Sequence, residues 1–465
     1  MTGLGHGRKA SRRGIVAWLF FDWAAQPWFT LVTTFVFGPW FAAHLAANTV
    51  EGQALWGYAA AAAGLVIAIL SPVLGAIADA SGARKPWIAA FSVLIVLSAF
   101  ALWFAEPGVE GAVLIALAAF ALGTIGVEFA TVFNNAMMPD LVEEGRMGRL
   151  SGTGWAIGYC GGLLSLAVVL GLLVADPATG RTILGVPPLF GLEAGNGAGD
   201  RASGPFTALW YVLFVLPLFF FTPDAPRRRR LRAAVRPGLA ALCANIAGLR
   251  HHRNLARFLV ANMVYLDGMN ALAVFGAIYA TSVFGWSAME LGLFGILLIV
   301  CGIFGSLAGG RLDDRFGPKP VIITSVLLLA ASALAILSVD ATRILFVIPV
   351  DPPVPGDGLF ASAAEQAYLG LGVVIGLTVG PAQAASRSLL ARLAPPGEVT
   401  QYFGLLALSG RVTSFVGPLA VGLLTTVSGS QRVGISVIVF FFLGGAALLA
   451  GVRPSRNGGR GASST

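Results

Sequence analysis

The sequence predicts an all-α integral membrane protein: twelve transmembrane helices arranged as two pseudo-symmetric six-helix bundles. Three observations lead there. Apolar residues make up 57% of the 465 and charged residues 11%, with a mean hydropathy of +0.82. A water-soluble chain carries roughly a quarter charged residues, so most of this surface must face lipid. The apolar residues come in continuous runs of about 20, the length of a helical span, and not in the alternating segments of a membrane barrel. Finally, one short charged turn is written twice, as GAIADASGARKP from Gly75 and as GRLDDRFGPKP from Gly310, near the same place in each half.

The spans fall near 15–43, 55–78, 86–105, 112–135, 151–175 and 205–221, then 256–284, 290–309, 320–339, 366–388, 400–427 and 431–452. This organises the chain into an N-terminal segment (1–14), a first bundle (15–221), a basic linker (222–255), a second bundle (256–452) and a tail (453–465). The first apolar run is too long for the core of a signal peptide and contains Asp22 and Pro27, so it reads as a retained span. With the N-terminus inside, 25 of the 30 lysines and arginines fall on the inner side. Four (Arg181, Arg201, Arg343 and Arg432) fall outside, and Arg411 lies within a span. That asymmetry places both termini in the cytoplasm of a cell-membrane protein.

The linker, with PRRRRLR and RHHRN, reads as a solvated topology signal, with contact to anionic lipid as the sharper alternative. His251 and His252 lie in it and carry no metal reading. The outer loops 176–204 and 340–365 read as irregular caps, with Gly195–Gly199 disordered. Cys160, Cys243 and Cys301 are scattered and odd in number; Cys160 and Cys301 lie in apolar segments and read as buried small residues, not as a disulfide or metal site. Net charge of +8 sits in short runs between spans, as topology requires, and does not indicate nucleic acid.

The duplicated turn has a physical reading. Gly75, Asp79, Gly82 and Arg84 share their spacing with Gly310, Asp314, Gly317 and Lys319. A reversal this short needs glycine where a Cβ is forbidden, and a base holds it in the cytoplasm. Its aspartate suits a helix N-terminus, whose unpaired N–H groups attract an anion. Related halves would place that helix in the opposite half: Asp79 at the start of span eleven, Asp314 at the start of span five.

This spacing, twice, in a six-plus-six chain resembles the major facilitator superfamily and its loop motif between spans two and three. The first copy departs from the motif, with Ala80 and Ser81 after the aspartate, which shifts weight to Arg84 and Lys85; the second keeps Asp314-Arg315. A narrower resemblance covers most of the chain. FFDWAAQPWFTLVTTFVFGPWFA (Phe20–Ala42), NNAMMPDLV (Asn134–Val142), RLSGTGWAIGYCGG (Arg149–Gly162), YLDGMNALAVFGAIYA (Tyr265–Ala280) and SRSLLARLAPPGEVTQYFGLLALSGRVTSFVGPL (Ser386–Leu419) are similar to the subfamily of bacterial facilitators and fungal autophagy-linked vacuolar effluxers. The resemblance implies the major facilitator fold and, at family level only, amino-acid efflux.

Ionisable residues inside a span are costly unless they face a cavity or a partner. Asp22 lies about 10 Å into span one, at 1.5 Å per residue, and Glu128 a similar depth into span four. The resemblance puts both spans on the central cavity, where like charges held close raise one pKa toward a usable proton site; structural hydrogen bonding is the alternative. Asp267 and Arg411 sit near mid-membrane in spans seven and eleven, as a neutralising pair or as substrate ligands; Asn270 lies one turn beyond Asp267. Gln26-Pro27 and Gly380-Pro381 interrupt spans one and ten. Trp23 is a pocket candidate, with Gln26 and Gln383. Asn134, Asn135, Ser386 and Arg387 form polar patches at the inner ends of spans four and ten, as gate residues or helix caps. Gly154, Gly158 and Gly162 strip one face of span five for close packing, expected against span eight.

No phosphate loop, zincin helix, nucleophile elbow or Cys/His cluster is present. The expected function is therefore not enzymatic: a monomeric secondary transporter of a small solute by alternating access, with H⁺ as the candidate coupling ion and neither cofactor nor metal. A transport-inactive receptor or scaffold and an integral-membrane enzyme are the alternatives. A long soluble domain would favour the first, a catalytic cluster gathered at one membrane face the second.

Overall fold

The computed structural model describes residues 10–176, 179–248, 253–352, 358–414 and 416–453. Among them are eleven helices long and apolar enough to cross a membrane, and a shorter apolar one, Val416–Ser428. Large apolar side chains stand exposed along these helices, with Leu114 at 71%, Phe220 at 74% and Phe440 at 70%. Such an outer surface is stable only against lipid, where helix association rests on close packing of small residues and on hydrogen bonds.

The chain divides into two compact units. The first holds 1–143, 157–242 and 397–407; the second holds 144–156, 243–396 and 408–465. Each unit thus takes six spans, except that the first segments of spans five and eleven belong to the other unit.

In the first unit, span one (Arg12–Leu45) starts as a regular helix capped by the Ser11 hydroxyl. Past Pro27 it widens to i→i+5 bonding over Trp28–Phe35 and bends at Val36. Proline removes a backbone donor, and such wide turns absorb the misfit. Spans two (Thr49–Ser81), three (Lys85–Ala101) and four (Ala112–Ala136) follow, then span five (Met147–Leu172) and span six (Ala198–Phe221). The core is aromatic: Trp18, Phe21, Trp28, Phe37, Phe41, Phe120, Phe129 and Tyr211 are all fully buried. Gly195–Gly199, expected as disordered, instead leads directly into span six. Gly197 takes a positive φ beside the Trp40 indole, and Gly199 lies against the backbone of Leu173 and Val174. Within the basic linker, Leu231–Gly248 is a helix.

In the second unit, spans seven (Arg253–Phe284), eight (Ala288–Phe316), nine (Pro318–Leu337), ten (Ala363–Leu393) and twelve (Gln431–Ala450) are single helices. Spans eight and ten begin in reciprocal capping boxes, Ser287 with Glu290 and Ser362 with Glu365, which satisfy the first orphan N–H groups. The Gly380-Pro381 pair does not interrupt span ten, because Pro381 packs against Gly309 of span eight, where no side chain resists it. The interruption lies in span eleven, which ends at Val412 and resumes at Val416. Pro418 explains the position: it cannot donate to Ser414 and is tolerated only in the first turn of a new helix. A small hairpin, Arg343–Ile344 with Ile348–Pro349, closes the loop after span nine. Arg8, Lys9, His251 and His252 lie outside the described residues, as does the side chain of Arg411.

Candidate functional site

Two indole clamps fix spans one and four in antiparallel register. Trp18 Nε1 donates to the Asn134 carbonyl at 2.9 Å, and Trp28 Nε1 donates to Thr124 Oγ1 at 3.3 Å. Asp22 lies one turn beyond Trp18, and Glu128 one turn beyond Thr124. In that register the two carboxylates stand within about two residues of the same level, roughly 3 Å along the axis. Both are half-buried. Span five adds backbone here: a Cβ at Gly158 would lie 3.5 Å from Asp22 Cβ and from Gln26 Oε1, and one at Gly162 would lie 2.8 Å from Gln26 Cγ. The glycine face at Gly158 and Gly162 therefore packs on span one, not on span eight as expected. The span-eight contact is made earlier, where Gly152 meets Ser306 and Gly310 and a Cβ on Gly310 would lie 2.7 Å from the Gly148 carbonyl. Gly154 is buried between these two contacts.

The Trp23 ring stacks on Trp210 at 5.6 Å and meets Phe214 edge-on, packing span one on span six.

Both charged turns reverse through glycine at positive φ, Gly82 at 94° and Gly317 at 87°. In the first, Asp79 is buried and accepts from the N–H groups of Thr400 at 3.2 Å and Gln401 at 2.8 Å, the opening turn of span eleven. Gly75 makes this approach possible, since a Cβ there would lie 2.7 Å from the Thr400 carbonyl. Arg84 joins the cluster: Nε donates to Thr400 Oγ1, one terminal nitrogen reaches Asp140 at 2.6 Å, and the other lies 3.8 Å from Asp79. Asp224 accepts from the N–H groups of Arg84 and Lys85, capping span three. In the second turn, Asp314 Oδ1 accepts from the N–H of Arg149 in the first turn of span five at 3.1 Å. Its neighbour Asp313 is buried and paired with Arg392 at 2.8 Å.

The bases after the two turns are not equivalent in the way their spacing suggests. Lys319, spaced like Arg84, donates to the carbonyls of Ala450 and Val452, both at 2.6 Å, at the end of span twelve. Lys85 does the same at span six, donating to the Phe219 carbonyl at 3.0 Å. Lys319 is thus the counterpart of Lys85. Arg315 is exposed, its guanidinium 5.1 Å from the Phe316 ring centre.

At the inner end of span ten, Arg387 is buried and holds span five by two bonds, to Ser151 Oγ at 2.8 Å and to the Ser151 carbonyl at 2.7 Å. Ser151 Oγ in turn donates to the Ala384 carbonyl. Ser386 bonds Tyr265, which donates to Asn262. Gln383 is half-buried, Asn134 is fully buried and Asn135 partly so. Asp267 is 3% exposed, and its Oδ1 has no hydrogen-bond partner among the described residues; Asn270 is exposed. The carbonyl of Asp267 lies 2.6 Å from where a Cβ of Gly417 would be, so the second segment of span eleven packs on span seven at that level. At the opposite end of the first unit, Trp40, His44, Asp176, Arg181 and Asp200 line a cavity of about 870 Å³.

Asp140, Asp224, Asp313, Arg392, Ser151, Asn262 and Tyr265 were missed by sequence reasoning. Asp313 and Arg392 carried one signal, the doubled aspartate of GRLDDRF, which leaves an acid beyond the one the motif uses.

Residues 41–460 match the family model described as vacuole effluxer Atg22 like. An uncharacterised MFS-type transporter of Bacillus subtilis, YxiO, is 25% identical over 442 residues, covering 93% of each chain. Autophagy-related protein 22 of Cryptococcus neoformans is 30% identical over 294 residues, 62% of this chain and 47% of the fungal protein. Among solved structures, the human organic anion transporter MFSD10 superposes with a TM-score of 0.66 at 17% identity, over 94% of this chain and 99% of its own. The proton:xylose symporter XylE gives 0.69 at 14% identity, over 95% and 96%. YxiO and the two solved neighbours are transporters, and the fold is that of the major facilitator superfamily. The chain belongs to the Atg22-like vacuole effluxer family.

Proposed function

We propose that this protein is a proton-coupled secondary transporter that exports an amino acid or a related small metabolite by alternating access. The reading rests first on Asp22 and Glu128, two half-buried carboxylates brought to one level of the first unit by the indole clamps. Carboxylates inside a span are costly unless they serve a cavity or a partner, and in this reading the pair takes up a proton on one side of the membrane and releases it on the other as its surroundings change. Gln26, which shares the bare face of Gly158 with Asp22, supplies a neutral hydrogen-bonding neighbour.

Alternating access also needs contacts that are strong enough to define a state yet reversible. A carboxylate on two helix N–H groups fits, since a hydrogen bond to a charged group contributes about 1.5–3 kcal/mol. Asp79 on span eleven and Asp314 on span five are the proposed latches, with Arg84, Asn134, Asn135 and Arg387 around the inner gate. Asp267 and Arg411 are proposed for the substrate, an acid for an ammonium group and a base for a carboxylate. The amino-acid class comes from the family and from these two opposite charges. The neighbour MFSD10 carries organic anions and XylE carries xylose with a proton, so the fold by itself favours no solute.

The test is flux in proteoliposomes. A panel of labelled amino acids is loaded and release is followed with and without an inward proton gradient. Wild type is expected to release at least one amino acid faster with the gradient, and Asp22→Asn to abolish that acceleration while keeping normal expression and solute exchange. Release equally fast with and without the gradient in both proteins would remove the proton role. No release of any amino acid would remove the substrate class.

A further inference from the structure

The helix Leu231–Gly248 between the two halves is docked, not free. Gly238 lies on span two, where a Cβ would be 2.9 Å from both the Ala76 carbonyl and Ile77 Cα. Ala234 and Leu242, a turn to either side, are buried with it. The chain leading into the helix is bonded to the charged turn, as the N–H groups of Arg228 and Arg229 donate to the Ser81 carbonyl at 2.8 and 3.3 Å. The helix and the Gly75–Arg84 turn are therefore one mechanical piece.

The faces away from span two are not those of a water-solvated helix. Leu231, Val235 and Leu239 are 46%, 39% and 39% exposed and, being four residues apart, form a single apolar stripe. Arg232 and Arg236 follow one residue on, about 100° further round. Arg227–Arg230 precede the helix, and all six arginines are exposed. Beyond them the exposed face is small, with Ala233 and Ala240. The order around the helix is protein, apolar stripe, basic stripe, small residues. An apolar stripe bordered by arginine is the pattern of a helix lying in the headgroup layer, and its charge is complementary to acidic lipids.

We propose that the linker helix binds acidic phospholipids of the adjacent leaflet. Leu231, Val235 and Leu239 sit at the acyl boundary, and the arginines hold the headgroup phosphates. Because the helix is bonded to the turn that carries Asp79 and Arg84, the lipid charge also acts on that turn. The proposal needs the chain to be membrane-embedded but needs no solute, so it stands or falls separately from the transport reading.

The experiment uses the full-length protein with its three cysteines replaced by serine and a fluorophore on Val235→Cys, in nanodiscs of phosphatidylcholine alone or with increasing phosphatidylglycerol. Phosphatidylglycerol is expected to shift the emission to the blue and expose the probe to quenching by spin-labelled acyl chains. In Arg232→Gln/Arg236→Gln the apparent affinity for the acidic lipid should fall about fivefold per arginine removed. Inorganic phosphate added to neutral nanodiscs should do nothing. Equal quenching in neutral and acidic nanodiscs, or no effect of the arginine substitutions, overturns the lipid site. The link to the turn is read from thiol labelling at Ala83→Cys, whose rate should change at least threefold with phosphatidylglycerol and lose that response in Gly238→Leu. An unchanged rate overturns the link.

Discussion

Gly162 and Asp340 show how much a single position can depend on what lies opposite. At Gly162 Thr30 Oγ1 and Gln26 Cγ would stand 2.5 and 2.8 Å from an added Cβ, whereas at Gly158 the neighbours stand at 3.5 Å. Gly162→Leu is therefore expected to lower stability by about 1–3 kcal/mol through overpacking, and Gly158→Ala to have little effect. Thermal unfolding in detergent compares them directly; equal losses would mean that spans one and five are not in backbone contact. Asp340, in the loop after span nine, accepts from Arg432 at 2.7 Å, a bond that lowers its pKa from 3.8 to about 2. A carboxylate with a depressed pKa stabilises the fold above its unfolded value and loses that contribution as pH falls through the folded one. Arg432→Gln should cost roughly 1 kcal/mol or less at neutral pH, since both side chains are partly exposed and screened. The difference from wild type should shrink as pH falls from 3.8 through about 2. A gap independent of pH would deny the ion pair.

At the scale of elements, the two lysines that follow the charged turns give spans six and twelve the same ending. Each ammonium donates to the last carbonyls of its helix, where partial negative charge collects. Lys85→Met and Lys319→Met should each lower thermal stability by about 1 kcal/mol and shift no pH-driven step, while Asp79→Asn should alter transport more than stability. Stability losses for Asp79→Asn alone would reverse these roles. Sequence spacing aligned Lys319 with Arg84 because it counts residues along one chain. The equivalence with Lys85 is set by which helix end lies within reach. The same limit explains the glycine face of span five: its four-residue period announces close packing, but only folding selects span one for Gly158 and Gly162 and span eight for Gly148 and Gly152. The break in span eleven was legible in principle from Pro418, yet the apolar run continues across it and a count of hydrophobic residues passes over it.

For the whole molecule, the division into units cuts across the two sequence halves, with the opening segments of spans five and eleven exchanged. Asp79 and Asp314 sit where those exchanged segments begin. The topology predicts that Ala83→Cys and Phe316→Cys are both labelled by an impermeant thiol reagent from the cytoplasmic side of inverted vesicles, and neither from outside intact cells. Labelling from opposite sides would be incompatible with six spans per half.

The sequence by itself determined the lipid-facing surface, the number and order of spans, the family, and the two glycine turns, because hydropathy, chain length and backbone sterics act locally. Only the tertiary structure decided which side chains meet: Arg84 with Asp140, Asp313 with Arg392, Arg387 with Ser151, and the linker helix with span two. Those contacts join residues dozens to hundreds of positions apart, and their energies depend on distance and burial, which no local pattern encodes.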